Sequence, residues 1–272
     1  MATLKNNIFT GSVRLFEKAL RLLGPRAYWK TVPRIIEELD AVYEHRSRHG
    51  GIYFYCPGEI ARRLAETLLT REPETIEWID GFDDGDTLLD IGANMGCYSI
   101  YAAKTKNAKV IAIEPAPQNV YLLSRNIILN GLDDNIFPIC AGLSDHTGLD
   151  RMNMSEAGLK MGGTRNSIGD NVSQSMVRYE PVVREWTMIY GLDNLIATFG
   201  LPKPNHLKLD IDLIQDKVIA GAGETLRNAN LKSAMLELNP KMDGTPYVLE
   251  TMEKLGFRLV KTVRHDNFFV RD

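Results

Sequence analysis

Residues 87–96, Thr-Leu-Leu-Asp-Ile-Gly-Ala-Asn-Met-Gly, constrain this chain more than any other stretch. An apolar run ends at Asp90 and turns through Gly92, Ala93, Asn94 and Gly96 into a segment of helical character, Tyr98 to Lys104. A buried strand that breaks into a glycine turn and re-enters as a helix carries backbone N–H groups and a helix N-terminus toward a ligand. Glycine belongs where a side chain would block that approach. A second apolar run, Lys109 to Ile113, ends in Glu114-Pro115. An acidic residue about twenty positions beyond a glycine turn is where nucleotide-binding folds hold ribose hydroxyls. The pattern fits a site for an adenosine-containing cofactor.

The length of 272 residues suits one large domain, or one domain with a smaller attachment. A net charge of −3 argues against a nucleic-acid footprint spread over the whole chain. Cys56, Cys97 and Cys140 are odd in number and widely spaced, so free thiols in a reducing cytoplasm are expected rather than disulfides or a metal cluster. No apolar run is long enough to span a bilayer, and Arg14, Glu17, Lys18 and Arg21 interrupt the N-terminal apolar positions. Val13, Leu15, Phe16, Ala19, Leu20, Leu22 and Leu23 form one face of an amphipathic helix stopped by Gly24-Pro25. Packing on the main domain is the expected use of that face. A membrane surface, a partner helix or a homo-oligomer contact is the alternative.

Residues 1–80 read as an N-terminal helical extension, with helices expected at 12–23, 32–47, 58–70 and 73–80. From residue 81 onward strands and helices alternate. Strands are expected at 87–91, 109–113, 136–141, 206–211 and 233–238, and helices at 96–105, 117–130, 215–228 and 245–255. Segments 257–263 and 266–271 read as a terminal hairpin. Such alternation implies an α/β sandwich of three layers around a mainly parallel sheet. An insertion at about 146–205 interrupts it. Met152 to Met176, rich in Gly, Ser, Asn and Met, reads as a lid or binding loop. Pro181 to Met188 reads as an extra strand, and Leu192 to Phe199 as a short helix.

The turn is Gly-x-x-x-Gly, not the Gly-x-Gly-x-x-Gly that fits a pyrophosphate. Asp90 at the strand end would repel a phosphate but accept hydrogen bonds from an ammonium group, directly or through water. S-adenosylmethionine has that ammonium and no phosphate. At this point the motifs resemble the FkbM-type S-adenosylmethionine-dependent methyltransferases, over roughly residues 70–240. The resemblance rests on Glu72 to Ile79, Asp90 to Gly96, Ala112 to Pro115, Asn119 to Asn130, Ala141 to Asp145 and Lys208 to Asp212. It implies the class I methyltransferase fold, a seven-stranded Rossmann-like sheet with a reversed terminal strand, and methyl transfer, usually to a hydroxyl oxygen. It further implies that Asp90, Gly92, Ala93, Asn94 and Gly96 cradle the methionine end of the cofactor, that Glu114 beside Pro115 takes the ribose hydroxyls, and that Ser144 or Asp145 meets the adenine. Asp210 would form the floor of the site.

Asp210, Asp212 and Glu237 at strand ends are the candidates for the general base, with His146 and His206 behind them. Asp212 reads equally as a helix cap. Asn119 and Asn130 are expected to brace the following helix. The sequence departs from the family at Leu213, where the pattern has glycine, and at Gln215, where it has a carboxylate. The leading expectation is an O-methyltransferase acting on a hydroxylated small or medium molecule such as a sugar or glycosylated metabolite. A methyltransferase-like protein that binds cofactor without turnover is the alternative, and an NAD-dependent oxidoreductase or a nucleic-acid methyltransferase stands further off.

Overall fold

The computed structural model describes residues 2–47, 50–164, 166–169, 171–172, 176–211 and 213–271, the side chains of residues 2–10 and 47 excepted. The chain divides into two compact units, Met1–Ala41 and Val42–Asp272. The first holds helices α1 (Ala2–Leu22) and α2 (Pro25–Glu38). Gly24 separates them at φ 85°, and Pro25 opens α2 where its missing N–H costs nothing.

The second unit begins with a hairpin, β1 (Val42–Ser47) and β2 (Gly50–Tyr55), which corrects the helix expected over 32–47. Val42, Tyr43 and the run Ile52-Tyr53-Phe54-Tyr55 favour strand, and Ile52 and Phe54 alternate into the core. Helices α3 (Glu59–Glu66) and α4 (Pro73–Asp80) follow, then β3 (Thr87–Ile91), α5 (Cys97–Lys106), β4 (Lys109–Ile113), α6 (Pro117–Asn130) and β5 (Ile136–Ile139). The edge of β2 is closed by side chains of α6. Asn130 accepts from the Tyr53 N–H at 3.0 Å and donates to the Tyr53 carbonyl at 2.7 Å, while Asn126 accepts from the Tyr55 N–H at 2.7 Å. Asn130 thus braces the hairpin as well as ending its own helix.

The expected insertion is a second sheet. Its strands are β6 (Gly142–Ser144), β7 (Gly148–Met154), β8 (Asn166–Ile168) and β9 (Val183–Gly191), in the order β6-β9-β7-β8. Part of the segment read as a loop, Met152 to Met176, is therefore paired strand; residues 165, 170 and 173–175 of it lie outside the described residues. Then come α7 (Leu192–Phe199), β10 (His206–Leu209), α8 (Gln215–Ala220), α9 (Gly223–Arg227), β11 (Ser233–Glu237), α10 (Thr245–Lys254), β12 (Phe257–Val263) and β13 (Asp266–Arg271).

The main sheet has seven strands in the order β12-β13-β11-β10-β3-β4-β5. Pairs β11–β10, β10–β3, β3–β4 and β4–β5 are parallel, and β13 runs antiparallel to both neighbours. The period of two along each strand sorts side chains to two faces. Leu89, Ile91, Ile111, Ile113, Leu207 and Leu209 meet α7 to α10 on one face. Leu88, Val110 and Ala112 meet α3 to α6 on the other. Asp90 and Lys208 belong to that second face, where their strands place them as direct register partners.

Candidate active site

The glycine turn follows β3 and opens α5, where topology places a ligand crevice at the carboxyl ends of the strands. A cavity of about 580 Å3 lies there, lined among others by Gly92 to Met95, Glu114, Pro115, Ala141 to Leu143, Asp210 and Glu237. That volume falls within the range of small-molecule sites, ~300–1,000 Å3. The turn glycines act through the backbone. Gly92 has φ 81°, and a Cβ there would collide with the Asp210 carbonyl. Gly96 is the left-handed residue that starts α5, packed under Leu123. The absent Cβ of Gly92 thus lets β3 and β10 exit side by side, and that of Gly96 lets α5 start against α6.

On the β4 side, Glu114 is 6% exposed and held by main-chain donors. The Asn94 N–H donates to its Oε2 and the Ala116 N–H to its Oε1, both at 2.9 Å. Burial pushes its pKa up to about 7, against those two backbone N–H groups that favour the charge. The carboxylate keeps spare acceptor positions toward the cavity, which suits a diol. Asn119 braces a loop rather than its own helix. Its Nδ2 donates to the Gly163 carbonyl at 3.0 Å and its Oδ1 accepts from the Gly162 N–H at 3.0 Å. Asn94 Nδ2 also donates to the Gly162 carbonyl, at 3.2 Å. Two asparagines therefore pin the Gly162-Gly163 segment beside Glu114 as one wall of the cavity.

On the β10 side the site is built from charge. Lys208 is 1% exposed, with Nζ 3.0 Å from Asp210 Oδ2 and 3.5 Å from Asp90 Oδ1. Its ammonium lies 5.3 Å from the centre of the Tyr98 ring. Tyr98 donates to Glu72 Oε2 at 2.6 Å and accepts from Arg71 at 3.1 Å. Burial disfavours the Lys208 charge, but Asp210 and Asp90 outweigh it and raise its pKa. Burial likewise pushes Asp210 up, yet Lys208 and a hydrogen bond shared with Glu237 win, and its pKa is lowered. Burial first, then the Asp210 charge, drives Glu237 up to about 10. The two carboxyls are thus pushed in opposite directions, Asp210 toward its charged form and Glu237 toward its protonated form.

Of the residues read from the sequence, the structure brings Gly92, Ala93, Asn94, Glu114, Pro115, Asp210 and Glu237 to one cavity. Asp90 is not among its lining residues. It is 1% exposed, accepts from Ser99 Oγ at 2.6 Å and lies 3.5 Å from Lys208 Nζ, beneath the turn. Ser144 and Asp145 also lie off the cavity. Ser144 donates to Asp145 Oδ1, and Ala141 to Leu143 line the wall in their place. His206 sits at the opposite end of its strand, stacked on Phe82 at 3.6 Å and bonded to Asp86 and Ser233, and His146 is an exposed partner of Asp145. Neither histidine lines the cavity. Asp212 lies outside the described residues.

Sequence reasoning passed over Lys208. The signal was available: in His206-Leu207-Lys208-Leu209-Asp210 the polar residues share one face of a buried strand, and a charge there requires a partner. The two departures at 213 and 215 also acquire a physical meaning. Leu213 keeps a left-handed backbone, φ 68°, without the glycine that fits it. Gln215, 5% exposed, donates to the Ile211 carbonyl at 2.8 Å and the Glu237 carbonyl at 3.0 Å, a double donation that an ionised carboxylate cannot make.

Comparison with known proteins agrees with this geometry. Residues 67–185 match the model of the TRM5/TYW2 methyltransferase domain. Methyltransferase sdnD of Sordaria araneosa is 40% identical over 62 residues, 22% of this chain and 24% of that protein. The ribosomal protein L11 methyltransferase of Aliivibrio fischeri is 39% identical over 62 residues, and the match again spans only 21% of its length. Hexuronic acid methyltransferase AglP of Haloferax volcanii is 23% identical over 189 residues, 69% of this chain and 71% of that one. Among solved structures, an FkbM methyltransferase from Methylobacillus flagellatus is similar with a TM-score of 0.46 and 16% identity, over 69% of this chain and 44% of that one. Strand order, the site at the carboxyl ends of the strands and the matched domain define the class I methyltransferase fold. The methyltransferase likeness falls on residues 67–185, and the chain spans about a quarter or less of the length of the first curated relatives it matches.

Proposed function

We propose that the protein is an O-methyltransferase that uses S-adenosylmethionine to methylate a hydroxyl of a sugar or glycosylated metabolite, in a reducing, cytoplasmic setting. The carrying observation is the meeting, in one cavity, of Glu114 with the carboxyl pair Asp210 and Glu237. The donor set suits the cofactor. Asn94 Oδ1 and Asn166 Oδ1 are buried acceptors without a hydrogen-bond partner, both residues line the cavity, and an ammonium and hydroxyls are the donors they lack. Glu114 would hold the ribose hydroxyls, and the unpartnered Asn94 Oδ1 of the Gly92–Met95 turn the ammonium of the methionine end. The carboxylate of Glu114 at the end of β4 disfavours a phosphate beside it, as in NAD.

When bound, the cofactor supplies an activated methyl group on a sulfonium. This chain's residues align the hydroxyl and take its proton. Alignment lowers such barriers by up to ~7–11 kcal/mol, and a placed base adds roughly 10²–10⁴-fold. Asp210 is the proton acceptor in this reading, charged because Lys208 is beside it; it takes the hydroxyl proton and becomes neutral as the oxygen gains the methyl group. Arg63 and Arg71, which also line the cavity, suit an acidic sugar, and the hexuronic acid methyltransferase among the relatives supports that class. The free thiols Cys56, Cys97 and Cys140 support the reducing setting.

The test is methyl transfer from labelled cofactor to a panel of neutral sugars, uronic acids and RNA. Label in an alkali-stable ether of a sugar is the expected result. Label in RNA, or in no acceptor, would overturn the reading.

A further inference from the structure

The unit Met1–Ala41 has no part in the site described above. Its helices carry large apolar side chains in the open: Leu15 is 70% exposed, Phe16 55%, Leu22 88%, Leu23 60%, Trp29 68% and Ile36 64%. On α1 the apolar positions fill about half the circumference, and Arg14, Glu17, Lys18 and Arg21 occupy the rest, by the spacing of 3.6 residues per turn. The two helices use little of that surface against each other. Tyr28 is buried under Arg21, whose guanidinium lies 4.7 Å from the ring centre and is bonded to Glu17.

Charge says what the surface suits. Residues 1–36 contain seven basic residues and one acid, Glu17, a net charge of +6 in a chain whose total is −3. Three acids, Glu37, Glu38 and Asp40, gather only where the unit ends. No helix among the described residues is long and apolar enough to cross a membrane. A helix with Trp, Phe and Leu on one face and Lys and Arg on the other lies in the plane of a lipid interface, its cations against anionic headgroups. A protein groove would need to cover the apolar half, but would have no need of the excess positive charge along residues 1–36.

We propose that residues 1–41 dock the enzyme on an anionic lipid surface, α1 and α2 lying in the interface with Phe16, Leu23 and Trp29 inserted and Lys18, Lys30 and Arg34 at headgroup level. Both terms are required, since a short apolar contact alone gives marginal binding. The docking is independent of the acceptor reading, because no residue of the cavity takes part.

The experiment is flotation of the full chain with phosphatidylcholine vesicles and with vesicles enriched in phosphatidylglycerol. The expected result is binding to the anionic vesicles, at least ~10-fold weaker on the neutral ones and weakened by salt. Phe16→Glu with Leu23→Glu, and separately Lys18→Glu with Lys30→Glu and Arg34→Glu, should each lower binding by at least about tenfold with an unchanged thermal melt. These side chains are exposed, so the fold does not depend on them. Failure of the intact chain to float with anionic vesicles would overturn the proposal. So would a stable dimer that Phe16→Glu with Leu23→Glu converts to monomer while vesicle binding stays as it was.

Discussion

The two sides of the cavity are made of different materials. On the β4 side the chemistry is held by the main chain: N–H groups of Asn94 and Ala116 fix Glu114, and two asparagines fix a loop beside it. On the β10 side it is held by side-chain charge: the buried Lys208 between the buried Asp90 and the partly exposed Asp210, with the protonated-leaning Glu237 beyond. A backbone cradle tolerates changes in the surrounding side chains as long as the turn folds. A charge network does not, since removing one member leaves its partners buried and uncompensated. Recognition of a fixed cofactor suits the first device, and tuning of a proton acceptor suits the second.

The sharpest way to break that contrast is Lys208→Met. It should cost about 3–5 kcal/mol of stability at neutral pH, the usual effect of stripping one partner from a buried ion pair. Because the pKa of Asp210 is lowered in the fold, the carboxylate's contribution is full above the ordinary carboxylate range and is lost as pH falls through the folded value. The penalty of Lys208→Met should therefore shrink toward acid pH. Denaturant melts across pH read it, and a loss below 1 kcal/mol would show that the network is unimportant. Next in size is Gln215→Glu, which turns a double donor into an acceptor facing two carbonyls and should cost about 2–3 kcal/mol in the same melts.

On the cradle side the effects should fall on binding rather than on stability. Glu114→Ala should weaken S-adenosylmethionine at least ~10-fold, or about 1.4 kcal/mol, by calorimetry. The pKa of about 7 at Glu114 gives this side its own pH signature. Its raised pKa means that the fold favours the protonated form, so its contribution to stability fades as pH rises toward 7. Affinity for the ribose diol should move the other way, rising as the carboxylate ionises through that pH, and Glu114→Gln should flatten the profile. The smallest effect is expected at Leu213→Gly. Relief of a left-handed non-glycine backbone gives back about 1–2 kcal/mol, less the ~0.5–1 kcal/mol that glycine loses in unfolded-state entropy. A net gain of about 1 kcal/mol or less should appear as a slightly raised Tm.

The same contrast explains what could be read from the sequence. The β4 side was legible because its parts are consecutive: strand, turn and Glu114 recur within residues 87–115. The terminal hairpin and the helix at 117–130 were legible for the same local reason. The β10 side depends on register. Only the pairing of Lys208 with Asp90, and of Glu237 with Asp266, shows that these charges share one sheet face. The contacts of Asp90 with Ser99 and Lys208 are invisible in the sequence for that reason. Ser144 and Asp145 were assigned by position in a motif, although β6 leaves the main sheet and turns them aside. The hairpin Val42 to Tyr55 was missed because apolar residues at 32–43 continue a helical spacing.

The central claim is that the crook between β3 and β4 grips a sulfonium nucleoside and rejects a phosphorylated one. Titration calorimetry of the intact protein with S-adenosylmethionine, and in parallel with NAD, tests it directly. The account predicts micromolar binding of the first and no measurable heat from the second. Silence with S-adenosylmethionine, or saturable binding of NAD, would contradict it.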